Sequence, residues 1–384
     1  MKSRELVIYI AAFTGPLAGN AVLALLGTLE DEWDVSTEVI LLSIPAFMFP
    51  FAMSQLFSGT ISDAYDRRAT VSSGLAVYAI GGFLAAGSTS FEMFMVSRFV
   101  QGIGYAFVVP VLVPLISDTA GVGREGIGMG YFGSFTSAGV SAGPFLAGLL
   151  ASISWRLAFV AVALVAVLVM VFFRLLFSKA PTKGIVSTKT ISRQLSSAFR
   201  SVDVLAISAA GFLAFLAQIG VISFASDYLE SEPMNLSALE IGIALGFSGA
   251  MGIVASPAAG RLVDLRGPRA SLVSGFLAAA LSASLMRLAS AYWEFVALLC
   301  GTAVGSSFIW APLLVMIVRS SPALKGTASS VFNSSRFMGY ALSPLLLTPV
   351  YLAVGFGDVM LTCSALLVLG LVLSLFAKRT LASE

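Results

Sequence analysis

Gly59-Thr60-Ile61-Ser62-Asp63-Ala64-Tyr65-Asp66-Arg67-Arg68 and Gly260-Arg261-Leu262-Val263-Asp264-Leu265-Arg266-Gly267-Pro268-Arg269 carry one pattern twice, at an offset of 201 residues. In each copy a glycine permits close helix contact, an aspartate ends a helix at a polar surface, and a tight turn brings back an arginine. Such a charged latch can pin neighbouring helices in one state and release them in another. Further pairs keep step outside these loops: Gly126 with Gly326, Phe132 with Phe332, Gly139 with Gly339, and Pro144 with Pro344, all at an offset of 200. One repeat of about 200 residues therefore covers almost the whole chain.

The repeat is set in an apolar chain. Of 384 residues, 58% are hydrophobic and 11% are charged, and the mean hydropathy is +0.96. Soluble domains carry about 25% charged residues, so this composition excludes a soluble enzyme, a nucleic-acid binder and a disordered chain. A helical bilayer crossing takes roughly 20 apolar residues. The runs are long and do not alternate, which argues against a membrane β-barrel. Twelve helices are predicted, at 6–29, 38–60, 70–89, 93–116, 126–152, 155–177, 203–226, 238–259, 270–289, 293–317, 326–350 and 357–377. The expected fold is an all-α membrane protein with twelve transmembrane helices in two pseudo-symmetric six-helix bundles. The bundles take residues 1–177 and 203–384, joined by a cytoplasmic linker at 178–202 that holds Lys179, Lys183, Lys189, Arg193 and Arg200. Six spans between equivalent points make the repeats parallel, related by an axis along the membrane normal. That arrangement builds a cavity between bundles that can rock about a central site.

Charge placement predicts orientation. With the N-terminus inside, only Arg156 and Arg287 fall at outer edges and only Arg98 and Arg336 within spans; every other Lys and Arg is on the inner side, as the positive-inside rule requires. The expected location is the plasma or inner membrane, with both termini cytoplasmic. Acids run the other way, in Glu30-Asp31-Glu32-Trp33-Asp34 and around Glu230, Glu232 and Glu240. Met1 to Glu5 is a short charged lead into a retained first span. Asn235-Leu236-Ser237 is a glycosylation triplet on the outer side. With no histidine, and with Cys300 and Cys363 inside apolar runs, His-based catalysis, a disulfide framework and a thiolate metal cluster are excluded. No cofactor or metal is expected, and the protein is not expected to be an enzyme. Gly128-Met129-Gly130-Tyr131-Phe132-Gly133 matches a dinucleotide pattern but lies inside an apolar helix. There is no phosphate-binding Gly-x-x-x-x-Gly-Lys loop, so the driving force must be a gradient.

The fourth span carries Arg98-Phe99-Val100-Gln101-Gly102-Ile103-Gly104. An arginine at bilayer depth is costly unless it faces protein or water, so Arg98 should point inward and hold a partner. The fifth carries Gly139-Val140-Ser141-Ala142-Gly143-Pro144-Phe145-Leu146-Ala147-Gly148. Its spacings of four put small residues on one face, so another helix can approach closely, and Pro144 permits a kink.

The repeated loop resembles the Gly-x-Leu-Ala-Asp-x-x-Gly-Arg-Lys signature of the major facilitator superfamily. The first copy matches at Gly59, Asp63, Arg67 and Arg68, with Asp66 where the family has glycine. The second matches at Gly260, Leu262, Asp264 and Gly267, with Arg269 left to carry the charge after Pro268. The resemblance implies that Asp118, at the inner end of the fourth span, joins the first latch. Arg98, Gln101 and Gly102 resemble the family's Arg-x-x-Gln-Gly-x-Gly motif, implying a role in proton or conformational coupling. Gly139, Gly143, Pro144 and Gly148 resemble the antiporter motif of the twelve-span drug:proton antiporter branch. Trp155-Arg156-Leu157-Ala158-Phe159 and Asp34-Val35-Ser36 resemble that branch's openings of the sixth and second spans.

The resemblance implies a secondary active transporter working by alternating access, exporting drugs or other lipophilic or amphipathic small molecules against protons, as a monomer in the lipid bilayer. The other readings are a facilitator or exporter of one metabolite, lipid or sugar without proton coupling, and a non-transporting sensor. Candidate cavity residues are Asn20, Gln55, Phe107, Phe135, Gln218, Phe224, Trp310, Asn333 and Arg336. Aromatic and amide walls suit lipophilic substrates of varied shape. Arg336 breaks the repeat, standing where the first half has Thr136, and an unpaired cation there would favour anionic or zwitterionic substrates or lock to an acid in one state. A proton carrier needs a titratable group. The nearest acids are Asp227 at the outer end of span 7 and Glu30 and Asp31 at the outer end of span 1.

Overall fold

A computed structural model describes residues 3–57, 66–120, 125–178, 188–231, 233–321 and 325–377. Among these, helix is the only regular structure. The helices are α1 (Ser3–Ala21), α2 (Leu26–Trp33), α3 (Thr37–Leu41), α4 (Ser43–Gln55), α5 (Arg67–Ala86), α6 (Phe91–Ala106), α7 (Val109–Ala120), α8 (Glu125–Ala151), α9 (Arg156–Leu176), α10 (Thr188–Phe199), α11 (Val202–Glu230), α12 (Ala238–Met286), α13 (Tyr292–Ser320) and α14 (Lys325–Leu375).

Ten described helices are long and apolar enough to cross a membrane. Two of them, α12 with 49 residues and α14 with 51, are far longer than the roughly 20 residues one crossing needs. Each breaks at a glycine with positive φ: Gly267 (φ 76°) and Gly355 (φ 81°). Counting each as two crossings gives twelve. With ψ of 169° and −177°, both glycines hold a conformation that side-chain-bearing residues almost never adopt, so these positions require glycine.

Three predicted elements differ in detail. The acidic stretch after span 1 is helical as far as Trp33 and closes at Asp34 in the left-handed region (φ 51°, ψ 47°). Aspartate tolerates that conformation better than most residues. The fourth span is split at Phe107 into α6 and α7, because Pro110 cannot donate to the carbonyl of Ala106 and its ring crowds it. The linker contains the helix α10.

The chain divides into two compact units: residues 1–187 with 237–246, and residues 188–236 with 247–384. In the first, α1 lies against α8, α5 against α6 and α9, and α4 against α6. In the second, α11 packs chiefly on α14, and α13 on α11 and α14.

Each unit is held by close backbone approach, as expected for helices in lipid, where apolar burial between helices gains little over lipid contact. A Cβ on Gly139 would lie 2.4 Å from the carbonyl of Phe13, and one on Gly339 would lie 2.2 Å from that of Phe212. Gly74 and Gly104 likewise interlock, as do Gly275 and Gly305. The repeat read from sequence is thus a repeat of contacts.

Prolines leave carbonyls without their helical donors, and hydroxyls from neighbouring helices take over. Tyr105 donates to Ala12 O (2.9 Å), four residues before Pro16. Ser271 donates to Phe308 O (2.9 Å), four residues before Pro312. Ser54 donates to Ala106 O (3.4 Å), before Pro110.

Candidate functional site

The predicted latch residues fall unevenly. Gly59 and Asp63 lie outside the described residues, as does the side chain of Asp118. Asp66, the departure from the family pattern, is extended (φ −60°, ψ 115°) and caps α5 by accepting from the Ala69 N–H (3.3 Å). Arg67 and Arg68 open that helix. In the second copy the turn is made by Gly267 itself, with Pro268 buried behind it. An aspartate that caps and a glycine that bends are two different ways to end one helix and begin the next. Gly260 faces open space. Asp264 and Arg269 are exposed, and neither forms an ion pair with a described residue.

Arg98 is wholly buried in the first unit, as is Gln101. Its Nη1 donates to Gln101 Oε1 at 2.7 Å, and the guanidinium carbon lies 4.7 Å from the Phe47 ring centre and 5.8 Å from that of Phe159. The three-residue spacing puts Arg98 and Gln101 on one helix face. Gly102 turns to the backbone of the second span, where a Cβ would meet the Phe47 carbonyl at 2.1 Å. The fifth-span motif divides its contacts. Gly139 and Gly143 face the α1 carbonyls of Phe13 and Leu17, while Gly148 faces Ala238 O and Pro144 O faces Gly242. Ser141 donates to Gly246 O (2.7 Å).

Among the coupling acids, Asp227 is buried and the others are not. It accepts a hydrogen bond from the Tyr351 hydroxyl, and Tyr351 stacks on Phe224 with ring centres 4.6 Å apart. Glu30 accepts from Thr37 Oγ1 (2.8 Å), and Asp31 is exposed. The acid that sequence reasoning missed is Glu32. It takes an ion pair from Arg156 at 2.6 Å and a hydrogen bond from Trp155 Nε1 at 3.3 Å. The Arg156 hydrogen bond holds its carboxyl below the usual value against the opposing effect of burial, and the Trp155 bond and the Arg156 charge add to the lowering. Arg156 also donates to Ser88 O (3.2 Å).

The cavity candidates do not form one group. In the first unit, Asn20 donates to Pro16 O (2.9 Å), Gln55 is buried, Phe135 stacks on Tyr9 (5.5 Å), and Phe107 is exposed. In the second unit, Trp310 and Arg336 line one pocket with Gly211, Ala214, Phe215, Ser306, Ile309, Leu313 and Phe332. Gln218 joins that wall by accepting from Ser306 Oγ (2.7 Å). Asn333, half-buried, and Phe224, buried beside Tyr351, are not among its lining residues. Arg336 is 8% exposed, with its guanidinium carbon 3.5 Å from the Trp310 ring centre, 4.2 Å from Phe337 and 4.7 Å from Phe215. Phe215 carried no sequence signal beyond aromatic character, and Phe332 was marked only as the repeat partner of Phe132. Among the described residues no group of acids and cysteines is placed to hold a metal.

The comparisons agree with this architecture. The chain is 26% identical over 327 residues to the uncharacterized MFS-type transporter YceJ of Bacillus subtilis, covering 82% of this chain and 80% of YceJ. It is 26% identical over 359 residues to the MFS-type transporter ppz2 of Metarhizium majus, spanning 90% of this chain but 58% of ppz2. A match to the quinolone resistance protein NorA of Staphylococcus aureus is 24% identical over 159 residues, 41% of each chain. Among solved structures, a POT family transporter bound to 5-aminolevulinic acid superposes with a TM-score of 0.82 at 14% identity, covering 98% of this chain and 96% of that one. A bacterial homologue of the human lysosomal transporter Spinster, inward-facing and unoccupied, gives 0.79 at 16% identity, covering 99% and 97%. These likenesses show the fold and point to a non-enzymatic membrane transporter of small molecules. The sequence pattern of the family matches residues 8–344 and 207–383, and the chain belongs to the Major Facilitator Superfamily.

Proposed function

We propose that the chain is a secondary active transporter that works by alternating access and exports amphipathic or lipophilic small molecules, drugs among them, in exchange for protons. The observation that carries this reading is the fifth-span register. Gly139 and Gly143 seat α8 on the backbone of α1, while Gly148 seats its other end on the start of α12. The likeness of this motif to the antiporter branch and the match to a quinolone resistance protein support export over uptake. Residues 1–177 and 203–384 act as the moving halves, joined by 178–202, and the protein works as a monomer in the plasma or inner membrane with both termini cytoplasmic.

Asp227 carries the proton. Among the acids whose side chains are described it is the only buried one, and the Tyr351 hydroxyl gives it one donor. Inverted membrane vesicles energised by respiration provide the test. A quinolone should accumulate in vesicles containing the protein, and collapsing the pH gradient should release it. Asp227→Asn should abolish gradient-driven accumulation while leaving quinolone binding within about twofold. Accumulation by Asp227→Asn at the wild-type rate would remove this acid from the mechanism, and accumulation indifferent to the gradient would remove antiport.

A further inference from the structure

We propose that the pocket around Arg336 in the second unit is an anion subsite, which binds the carboxylate of a soluble amphipathic acid whose apolar body rests against Trp310 and Phe215. The assignment rests on the transporter reading and names the substrate class for it.

Three observations carry it. First, Arg336 is more than nine-tenths buried, and its Nε has no hydrogen-bond partner. It forms no hydrogen bond or ion pair with a described residue; its contacts are the faces of Trp310, Phe337 and Phe215. Rings offset a cation's charge but offer no acceptor lone pairs, so the guanidinium's donors lack oxygens in this conformation. Buried arginines ordinarily find them.

Second, the cation lines a pocket. The walls are apolar or aromatic except for Ser306 and Arg336 itself. The enclosed space holds about one water molecule, so a ligand places a small head group there and leaves its body outside, against the rings. Gly211, Ala214, Phe215 and Gln218 share one face of α11. Gln218 accepts from Ser306 through Oε1, which leaves its amide NH2 as a second donor on that face.

Third, the repeat supplies an internal control. The equivalent position in the first unit is Thr136, whose hydroxyl donates to Phe132 O of its own helix at 2.8 Å. A satisfied, neutral side chain therefore fits this helical position. The second unit carries instead a buried cation without an oxygen partner, a costly choice at bilayer depth that a bound anion compensates. A carboxylate matches the planar fork of a guanidinium with two parallel hydrogen bonds. Cationic substrates are disfavoured at the same place by like charge.

The test uses the full chain in phosphatidylcholine nanodiscs and a matched series: 4-phenylbutyrate, 4-phenylbutanol and 4-phenylbutylammonium. Binding is read by titration calorimetry and by tryptophan fluorescence. The acid should bind at least tenfold more tightly than the alcohol, and the ammonium least. Trp310→Phe should remove the fluorescence response. Arg336→Met, which keeps an unbranched stem as far as the Nε position and removes the charge, should abolish the preference for the acid. It should also raise the apparent melting temperature of the ligand-free protein, because a buried cation without an oxygen partner is replaced by an apolar group; a structural arginine would give the opposite sign. Equal binding of the three compounds, retained acid preference in Arg336→Met, or a lowered melting temperature would each overturn the subsite. Loss of 4-phenylbutyrate binding in phosphatidylglycerol nanodiscs would assign the pocket to a lipid head group and overturn the soluble acid. Tight binding of the acid with no flux of it in proteoliposomes would leave the subsite standing and count against the transporter reading.

Discussion

Among the described residues each unit buries one arginine, and the two are dressed differently. Arg98 in the first unit is inaccessible and held: Gln101 accepts from it at 2.7 Å, and Phe47 and Phe159 flank it. Arg336 in the second unit is held by rings alone and lines a pocket. The positions are not related by the repeat. At the 201-residue offset Arg98 corresponds to Leu299, and at the 200-residue offset Arg336 corresponds to Thr136. The two buried cations therefore differ in the acceptors the described residues give them. One has an oxygen acceptor on its own helix, through Nη1 to Gln101. The other has rings and no described oxygen acceptor, which is the basis for proposing that it recognises an anion.

The largest expected effect tests that division. Arg98→Ala removes the bulkiest of the fully buried side chains and strands the carbonyl of Gln101. Lost packing and an unpaired buried acceptor together should cost about 3–5 kcal/mol, seen as poor membrane accumulation and a lowered apparent melting temperature. The arginine contrast requires the opposite sign for Arg336→Met. If both substitutions destabilise, the two arginines are alike and the contrast fails.

Next in size are the paired glycines. Gly139→Ala and Gly339→Ala each force a methyl to within 2.4 and 2.2 Å of a backbone carbonyl on the facing helix. Each should cost about 1–3 kcal/mol through helix displacement, by similar amounts, read as apparent melting temperature in detergent. A large inequality would show that the units share sequence but not packing.

The smallest effect lies at one end of the bundles. Phe94 and Trp155 in the first unit sit 6.0 Å apart, and their counterparts Phe295 and Phe356 in the second sit at the same distance. Only the first unit adds the Glu32–Arg156 ion pair; Gly357 stands where Arg156 would repeat. Because the folded-state pKa of Glu32 is depressed below its usual 4.5, the pair stabilises fully above that value and its contribution disappears as pH falls through the lowered one. The pair is partly exposed to solvent, so about 0.5 kcal/mol is expected. Glu32→Gln should lower the apparent melting temperature slightly at pH 7 and lose its difference from wild type as pH falls through the lowered carboxyl pKa. A difference independent of pH would mean that Glu32 acts through packing.

The contrast also shows what a sequence discloses. Helix positions, the repeat and the need for Arg98 to find a partner were legible because each follows from a local cost: apolar length, glycine at a crossing, a charge in lipid. Gly267 was legible as a motif residue, and the structure adds the reason, a backbone angle that other residues avoid. Residues 30–33 continue in helix beyond 29, where the first span is predicted to end because their acids suggest a solvated rim in sequence, and the break in the fourth span follows from Pro110, which the apolar run of 93–116 conceals. The contacts of Asp227 with Tyr351, and of Glu32 with Arg156, join residues 124 positions apart in each case. Nothing local marks a tyrosine or an arginine as the partner of such a distant acid. Arg336 was visible as a break in the repeat, but its cage of rings was not, because Phe215 and Trp310 reach it from other helices.

The claim on which everything else depends is that one site is exposed to the two sides of the membrane in turn. Counterflow in proteoliposomes tests this most directly. Vesicles preloaded with unlabelled 4-phenylbutyrate should take up the labelled compound faster than empty vesicles, with saturation and without any imposed gradient. Uptake that is unaffected by preloading, in protein shown to bind the compound, would contradict the account.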